Sequence, residues 1–289
     1  GVLYQMNPTG RLAALRADTG KEAWIVDLRE KFGARYGVWA MSENVAVEGN
    51  LVFCIPGGGD ALMVALDKTT GTTVWVNDKL DETAAYCSPI IVTHRGRRQL
   101  IALTQRSIVG VDVADGKLLW SHPHVTRGDQ NVNAPIYHDG CVFTASGHSG
   151  GGRVVRLNDD SSAATELWWD EDLDNCHVSV MLFDGHLYGS ACRIGGRGFF
   201  WAQLLTGNVL FREKVEKLSL TAADGFIYGL TQGGIMHLIR PTPEKLDIVS
   251  TFQIPPDTKE LAWAHPVVAG GRLYIRRGEY LYVYDTRAK

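Results

Sequence analysis

The side chains able to do chemistry recur along this sequence, each set just ahead of a short apolar run. "YGVWAMSEN" supplies Trp39, Ser42 and Glu43, and "AAYCSPI" supplies Tyr86, Cys87 and Ser88. "DQNVNAPI" supplies Asn131 and Asn133, "LDNCHVSV" supplies Asp174, Asn175 and His177, "EKLSL" supplies Lys217 and Ser219, and "LAWAHPVV" supplies Trp263 and His265. Indoles offer flat faces to a ring. Carboxylate, amide, imidazole and ammonium groups offer charge and hydrogen bonds to a polar molecule. Such a set suits a small polar or sugar-like ligand, or a segment of a protein partner, held without catalysis. The opposing reading is that polar residues at this slot simply face water.

Other signals carry less. His122 and His124 in "SHPH" have metal-pair spacing but no third ligand nearby, so they read as a solvated strand end. "PGGGD" (56–60) and "GHSGGGR" (147–153) lack the Gly-Lys-Ser/Thr ending of a phosphate loop and read as flexible rim loops. "RGRR" (95–98) reads as a solvated turn. Five cysteines at irregular spacing, with no CxxC and no adjacent pair, read as buried apolar side chains. A formal charge of −3 excludes a polybasic footprint, so no nucleic acid partner is expected. No apolar run approaches the roughly 20 residues of a membrane span. The sequence opens inside a strand pattern, which leads to the expectation that an N-terminal portion lies outside these 289 residues.

The elements that must position these residues are repeats. "LAALRADTGKEAW", "LMVALDKTTGTTVW" and "IVGVDVADGKLLW" each run from apolar alternation through a turn to tryptophan. Aligned on that anchor, copies fall at Trp24, Trp75, Trp120, Trp168, Phe211 and Phe252, at intervals of 41 to 51 residues. This is the period of four-stranded propeller blades. A second signal, as in "HDGCVF", "FDGHLY", "ADGFIY" and "AGGRLY", is a hairpin turn whose Asp-Gly or Gly-Gly pair supplies positive φ. Each period therefore reads strand A, glycine turn, strand B, loop, strand C, Asp/Thr-Gly turn, strand D. The spacing predicts an all-β, single-domain β-propeller of antiparallel blades with seven visible units. The first lacks strand A and the last lacks strand D, so the natural protein is expected to be longer, with room for an eighth blade, the alternative being a seven-bladed ring with two three-stranded blades. One blade cannot bury both faces alone, so the anchors should fill the space between neighbours. In such a fold strand A lines the central channel, which puts the polar slot at the channel mouth.

The turn "A-x-D-x-x-T-G" before tryptophan resembles the repeat of the PQQ-like, quinoprotein-type propellers. "ALRADTGKEAW", "ALDKTTGTTVW" and "GVDVADGKLLW" carry the resemblance. The family includes alcohol and polyvinyl-alcohol dehydrogenases that bind PQQ. It also includes an outer-membrane assembly lipoprotein that binds proteins and no cofactor. The resemblance thus implies two functions: a binding scaffold, or a PQQ- and Ca²⁺-dependent alcohol or sugar dehydrogenase. For the second, Trp39 or Trp263 would stack on the quinone, and Lys217 and Arg35 would pair its carboxylates. His177 and His265 would line the site, and Glu43, Asn133 and Asn175 would ligate calcium. Asp174 is the candidate catalytic aspartate, by position alone. The adjacent-cysteine disulfide of those dehydrogenases has no counterpart here, nor does a haem motif, which favours the scaffold. The resemblance also implies a periplasmic or extracellular location.

Overall fold

The computed structural model describes residues 1–126, 130–148, 150–176, 178–193, 197–255 and 258–287. Seven antiparallel sheets follow one another in chain order, the blades of an all-β propeller. Blade one holds β1 (Val2–Met6), β2 (Arg11–Arg16) and β3 (Glu22–Asp27), followed by the short helix α1 (Leu28–Phe32). Blade two holds β4 (Ala46–Glu48), β5 (Leu51–Cys54), β6 (Met63–Asp67) and β7 (Thr73–Asn77). Blade three holds β8 (Ile90–His94), β9 (Arg97–Leu103), β10 (Ser107–Asp112) and β11 (Leu118–Pro123). Blade four holds β12 (Ile136–His138), β13 (Cys141–Ser146), β14 (Gly151–Leu157) and β15 (Ala164–Asp170). Blade five holds β16 (Val180–Phe183), β17 (His186–Arg193), β18 (Arg197–Leu204) and β19 (Val209–Lys214). Blade six holds β20 (Leu218–Ala223), β21 (Phe226–Thr231), β22 (Ile235–Arg240) and β23 (Asp247–Gln253), and blade seven holds β24 (Val267–Ala269), β25 (Arg272–Arg277) and β26 (Tyr280–Asp285). The three-stranded first and last sheets and the four strands between turns match the sequence reading. Two compact units divide the chain, residues 1–144 with 155–166 and residues 145–154 with 167–289.

The hairpins follow from turn chemistry. Asp139 and Gly140 take φ of 44° and 76°, and Asp224 and Gly225 take 51° and 76°. Positive φ at both central residues is the type I′ requirement, and its twist matches that of the strands. The C-to-D turns are built differently. The Asp67 carboxylate accepts the amides of Thr69 and Thr70, both at 2.9 Å, while the Gly71 amide donates to the Asp67 carbonyl. Asp112 and Gly116 repeat this arrangement.

The glycine of that turn receives the anchor of the preceding blade. An added Cβ would lie 2.9 Å from the Trp24 ring at Gly71, 2.5 Å from Trp75 at Gly116 and 2.9 Å from Trp168 at Gly207. Each indole then donates to a carbonyl of the same turn: Trp24 to Lys68 at 3.0 Å, Trp75 to Val113 at 3.0 Å, Trp168 to Leu205 at 2.7 Å. The aspartate shapes the turn, the glycine leaves room for the ring, and the carbonyl satisfies the indole N–H. This is why the motif repeats. A one-residue bulge in the outer strand precedes the anchor, since Ala14 pairs with Trp24 but Leu15 with Glu22. The same slip recurs in blades two, three, five and six.

Two anchors depart from the alignment. Trp120 donates to Gln99 of its own blade at 2.8 Å, and Gln99 donates to Ser161 at 3.2 Å. The facing turn, "NDDSS", has no glycine to receive the ring, and Ser161 holds the left-handed position with φ 60°. In blade six the register puts Ser250 in the anchor slot. Phe252 lies two residues further on and packs against Tyr284, with centroids 4.9 Å apart and the rings tilted by 60°.

Candidate functional site

In the first unit the loops leading into strands A are tied to one another. The Trp39 amide donates to the Tyr86 hydroxyl at 3.3 Å, and the Ser42 hydroxyl donates to the Tyr86 carbonyl at 3.2 Å. The Asn44 amide donates to Ser88 at 2.9 Å, and the Tyr86 amide to the Asn131 carbonyl at 3.0 Å. Asn131 is fully buried, and its side-chain amide donates to the carbonyls of Thr104, Gln105 and His124. Asn133 is buried in the same unit. Tyr86 is the hub of this network. Ser42, Tyr86, Ser88 and Asn131 of the polar slot thus hold the loops together.

Two side chains of this unit stand apart. Trp39 is 68% exposed beside Val38, which is 91% exposed, although the loop backbone is pinned on Tyr86. Glu43 is the reverse, only 7% exposed. Its Oε1 accepts the Ile55 amide at 2.9 Å, and its Oε2 is buried without a hydrogen-bond partner among the described residues. Burial pushes its carboxyl up to about 7, against the smaller opposing effect of the Ile55 N–H. The same burial, with the nearby Glu43, raises the Cys54 and Cys87 thiols, Cys87 to about 12. These cysteines are inert apolar side chains, as expected. A recess of about 400 Å³ runs between residues 3–6 of β1 and residues 42–45.

In the second unit a similar network forms. Ser179 lies 3.2 Å from His265 Nδ1, which is 2.9 Å from the Leu220 carbonyl. Ser219 donates to the Trp263 carbonyl at 3.2 Å, and Thr221 to the Pro266 carbonyl at 2.6 Å. Asp174 and Asn175 are buried, Lys217 is half-buried, and Trp263 is 53% exposed. His177 lies outside the described residues.

Several secondary readings need correction. "PGGGD" is packed rather than flexible, because the Gly58 amide donates to the Glu82 carbonyl at 2.7 Å and Gly57 pairs with Thr83. "RGRR" is the solvated β8–β9 turn expected, and it carries surface ion pairs: Arg95 meets Asp159, Arg97 meets Asp112 and Arg98 meets Glu48. His124 is fully buried, while His122 lies 3.4 Å from Glu166. Glu82 escaped the sequence reading, yet it accepts from Thr104, Ser107 and the Arg106 amide. A lone glutamate ahead of strand A carried no signal of that role.

A calcium-bound quinone needs several converging oxygen ligands. Among the described residues no three His, Cys, Asp or Glu side chains gather as a metal site. Within the first unit Glu43 has one oxygen committed to Ile55, and the Asn131 amide is spent on carbonyls. Arg35 is paired with Asp81. Among the described residues, neither unit by itself gathers such a set of carboxylates.

The family model described as outer membrane protein assembly factor BamB matches residues 1–209. The chain belongs to the PQQ-like propeller family. Over 158 residues it is 34% identical to the quinoprotein alcohol dehydrogenase PedH of Pseudomonas putida, covering 52% of this chain and 25% of that protein. Over 137 residues it is 33% identical to the quinoprotein ethanol dehydrogenase of Pseudomonas aeruginosa, covering 43% of this chain and 22% of that protein. The chain thus spans about a quarter of the length of these curated relatives. Among solved structures, BamB of Moraxella catarrhalis superposes with a TM-score of 0.70 at 18% identity, covering 98% of this chain and 81% of that one. The quinohemoprotein alcohol dehydrogenase of Comamonas testosteroni gives 0.63 at 14% identity, covering 95% and 61%. At these identities the structures show a shared fold. Among the described residues no helix is long and apolar enough to cross a membrane.

Proposed function

We propose that this propeller is a non-catalytic binding scaffold whose strand-A loops contact a protein partner. Val38 and Trp39 carry the reading. An indole and an isopropyl group stand in solvent on a backbone held at Tyr86 and Ser42, so contact is pre-organised at little entropic cost. The neighbouring polar groups are spent on one another, which suits a rim around an aromatic contact. The matching family description names an assembly factor for outer membrane proteins, which supports a polypeptide over a sugar as the bound molecule. A periplasmic or cell-surface location belongs to the same proposal. The test is fluorescence anisotropy of a labelled outer-membrane β-barrel polypeptide, diluted from urea, with oligosaccharides as comparison. Saturable binding is expected, weakened about tenfold or more by Trp39→Ala, as for a central aromatic contact. Binding of oligosaccharides alone, or of neither, overturns it.

The second reading, a PQQ- and Ca²⁺-dependent dehydrogenase of alcohols or sugars, is favoured by the names of the two curated relatives described above. In it Glu43, Asn133 and Asn175 hold calcium, Trp39 or Trp263 stacks, Lys217, His177 and His265 line the site, and Asp174 is catalytic. Titration with PQQ, with and without Ca²⁺, separates the two. Saturable, calcium-dependent quenching of tryptophan fluorescence that is lost in Trp263→Ala would replace the scaffold.

A further inference from the structure

Blades six and seven meet without an indole between them. Leu238 pairs with Ser250 and Ile239 with Ile248, just as Ala14 pairs with Trp24 and Leu15 with Glu22, so a serine stands at the anchor position. Its side chain is far smaller than an indole, and the joint opens as a cleft of about 450 Å³. Tyr228, Phe252 and Tyr284 wall the cleft over Met236 and Leu273, both of which are buried. That volume lies in the range of small-molecule pockets, and apolar, aromatic walls suit a flat ring.

The facing turn of blade seven keeps the acceptor that the other joints use. At Trp24 and Trp75 the indole N–H is received by the residue after the turn aspartate, Lys68 after Asp67 and Val113 after Asp112. Two bonds place each of those carbonyls. The Lys68 amide donates to the Asn50 carbonyl at 2.8 Å and the Val113 amide to the Arg98 carbonyl at 3.2 Å, tying the turn to the head of its own B strand. Asp67 and Asp112 each accept the amide two residues on, at 2.9 Å. Blade seven repeats both. The Thr286 amide donates to the Gly271 carbonyl at 2.9 Å, and Asp285 accepts the Arg287 amide at 3.0 Å. Thr286 lines the cleft, and its carbonyl oxygen accepts no hydrogen bond among the described residues.

We propose that this cleft binds a small, neutral, planar heteroaromatic molecule of the indole class. Its ring packs against Phe252, Tyr284 and Tyr228, and its N–H donates to the Thr286 carbonyl. The class follows from the joints of blades one and two, where the same position and the same carbonyl hold an indole. Neutrality follows from the lining. Among the described residues Asp285 is the one charged group there, and its carboxylate is already engaged by the Arg287 guanidinium. Blades six and seven both belong to the second unit, so the site is complete within it.

The test is calorimetric titration of the 289-residue chain with indole and with benzofuran, which has the same shape but no N–H. Indole should bind saturably with a Kd on the order of 100 µM, as befits nine heavy atoms in an open cleft. Benzofuran should bind about fivefold more weakly, the worth of one hydrogen bond. Ser250→Trp fills the cleft from within and should weaken indole by about tenfold or more. Should that variant not fold, Ser250→Phe serves the same purpose, because blade five already carries Phe211 at this position. No saturable binding up to about 2 mM indole would overturn the proposal. So would equal affinity for benzofuran, or binding that survives the substitution at Ser250. Binding of a tryptophan-containing peptide with none of indole would mark a seat for a protein partner and overturn the small-molecule assignment.

Discussion

The buried carboxyl of Glu43 should make stability depend on pH in an unusual direction. Most native carboxylates are held below their ordinary range, as Asp285 is by Arg287, and such groups favour high pH. Glu43 is held above it, at about 7, chiefly by burial. The folded protein therefore binds this proton more tightly than the unfolded chain does. Its contribution is fully present below the unfolded value near 4.5 and is lost as pH rises to about 7, beyond which the buried charge costs roughly 3 kcal/mol. Glu43→Gln keeps an oxygen for the Ile55 amide and removes the titration. Urea unfolding at pH 5.5 and pH 8 should show the wild type losing about 2 kcal/mol relative to Glu43→Gln over that interval; parallel behaviour of the two proteins would mean that the carboxyl is solvated. The polar character of this slot was legible from the residues, and its use was not. Asn131 offers the same amide whether it meets a ligand or three carbonyls, and the choice depends on Thr104, Gln105 and His124, which no local pattern connects to it. Tyr86 became the hub through contacts with residues more than 40 positions away.

Between elements, the Trp–Gly joint is the unit that holds one blade to the next. Truncation of a core aromatic costs ~3–5 kcal/mol, which is the expectation for Trp75→Ala. Trp75→Phe keeps most of the packing and loses the bond to the Val113 carbonyl, costing ~1 kcal/mol. Gly116→Ala should cost ~3 kcal/mol or more, because left-handed backbone penalises a Cβ and that Cβ would fall 2.5 Å from the indole. The clash and the strain can be separated. In a Trp75→Ala background only the strain remains, so Gly116→Ala should cost just ~1–2 kcal/mol there. Additive costs in denaturant titrations would show that the ring and the glycine do not meet in solution. The joint was partly legible, since an aspartate, a glycine and a tryptophan at fixed offsets mark a turn and an anchor. The partner of each anchor was not, because the tryptophan seeks the glycine of the following repeat. Trp120 shows the limit: its own sequence is regular, and it turns to Gln99 because the facing "NDDSS" lacks the glycine.

For the molecule as a whole, the blades, their strand order and their three-stranded ends could be read from the sequence. Period-two alternation and turn glycines are local signals, and each blade repeats them. The loops that knit strand-A entrances together could not be read, because their bonds obey no period. This difference should appear in native-state hydrogen exchange. Strands buried on both faces open only when their neighbours do, so β6 and β10 should exchange with free energies near that of global unfolding. The open edges are the other extreme. In β1, Val2 and Leu3 are exposed, and in β26, Tyr280, Leu281 and Val283 are exposed; each strand pairs on one side only. Outward-facing amides of β1 and β26 should exchange through local fraying at rates nearly independent of denaturant, while those of β6 and β10 should follow the global transition. Uniform protection across all seven blades would mean that these edges are covered in solution.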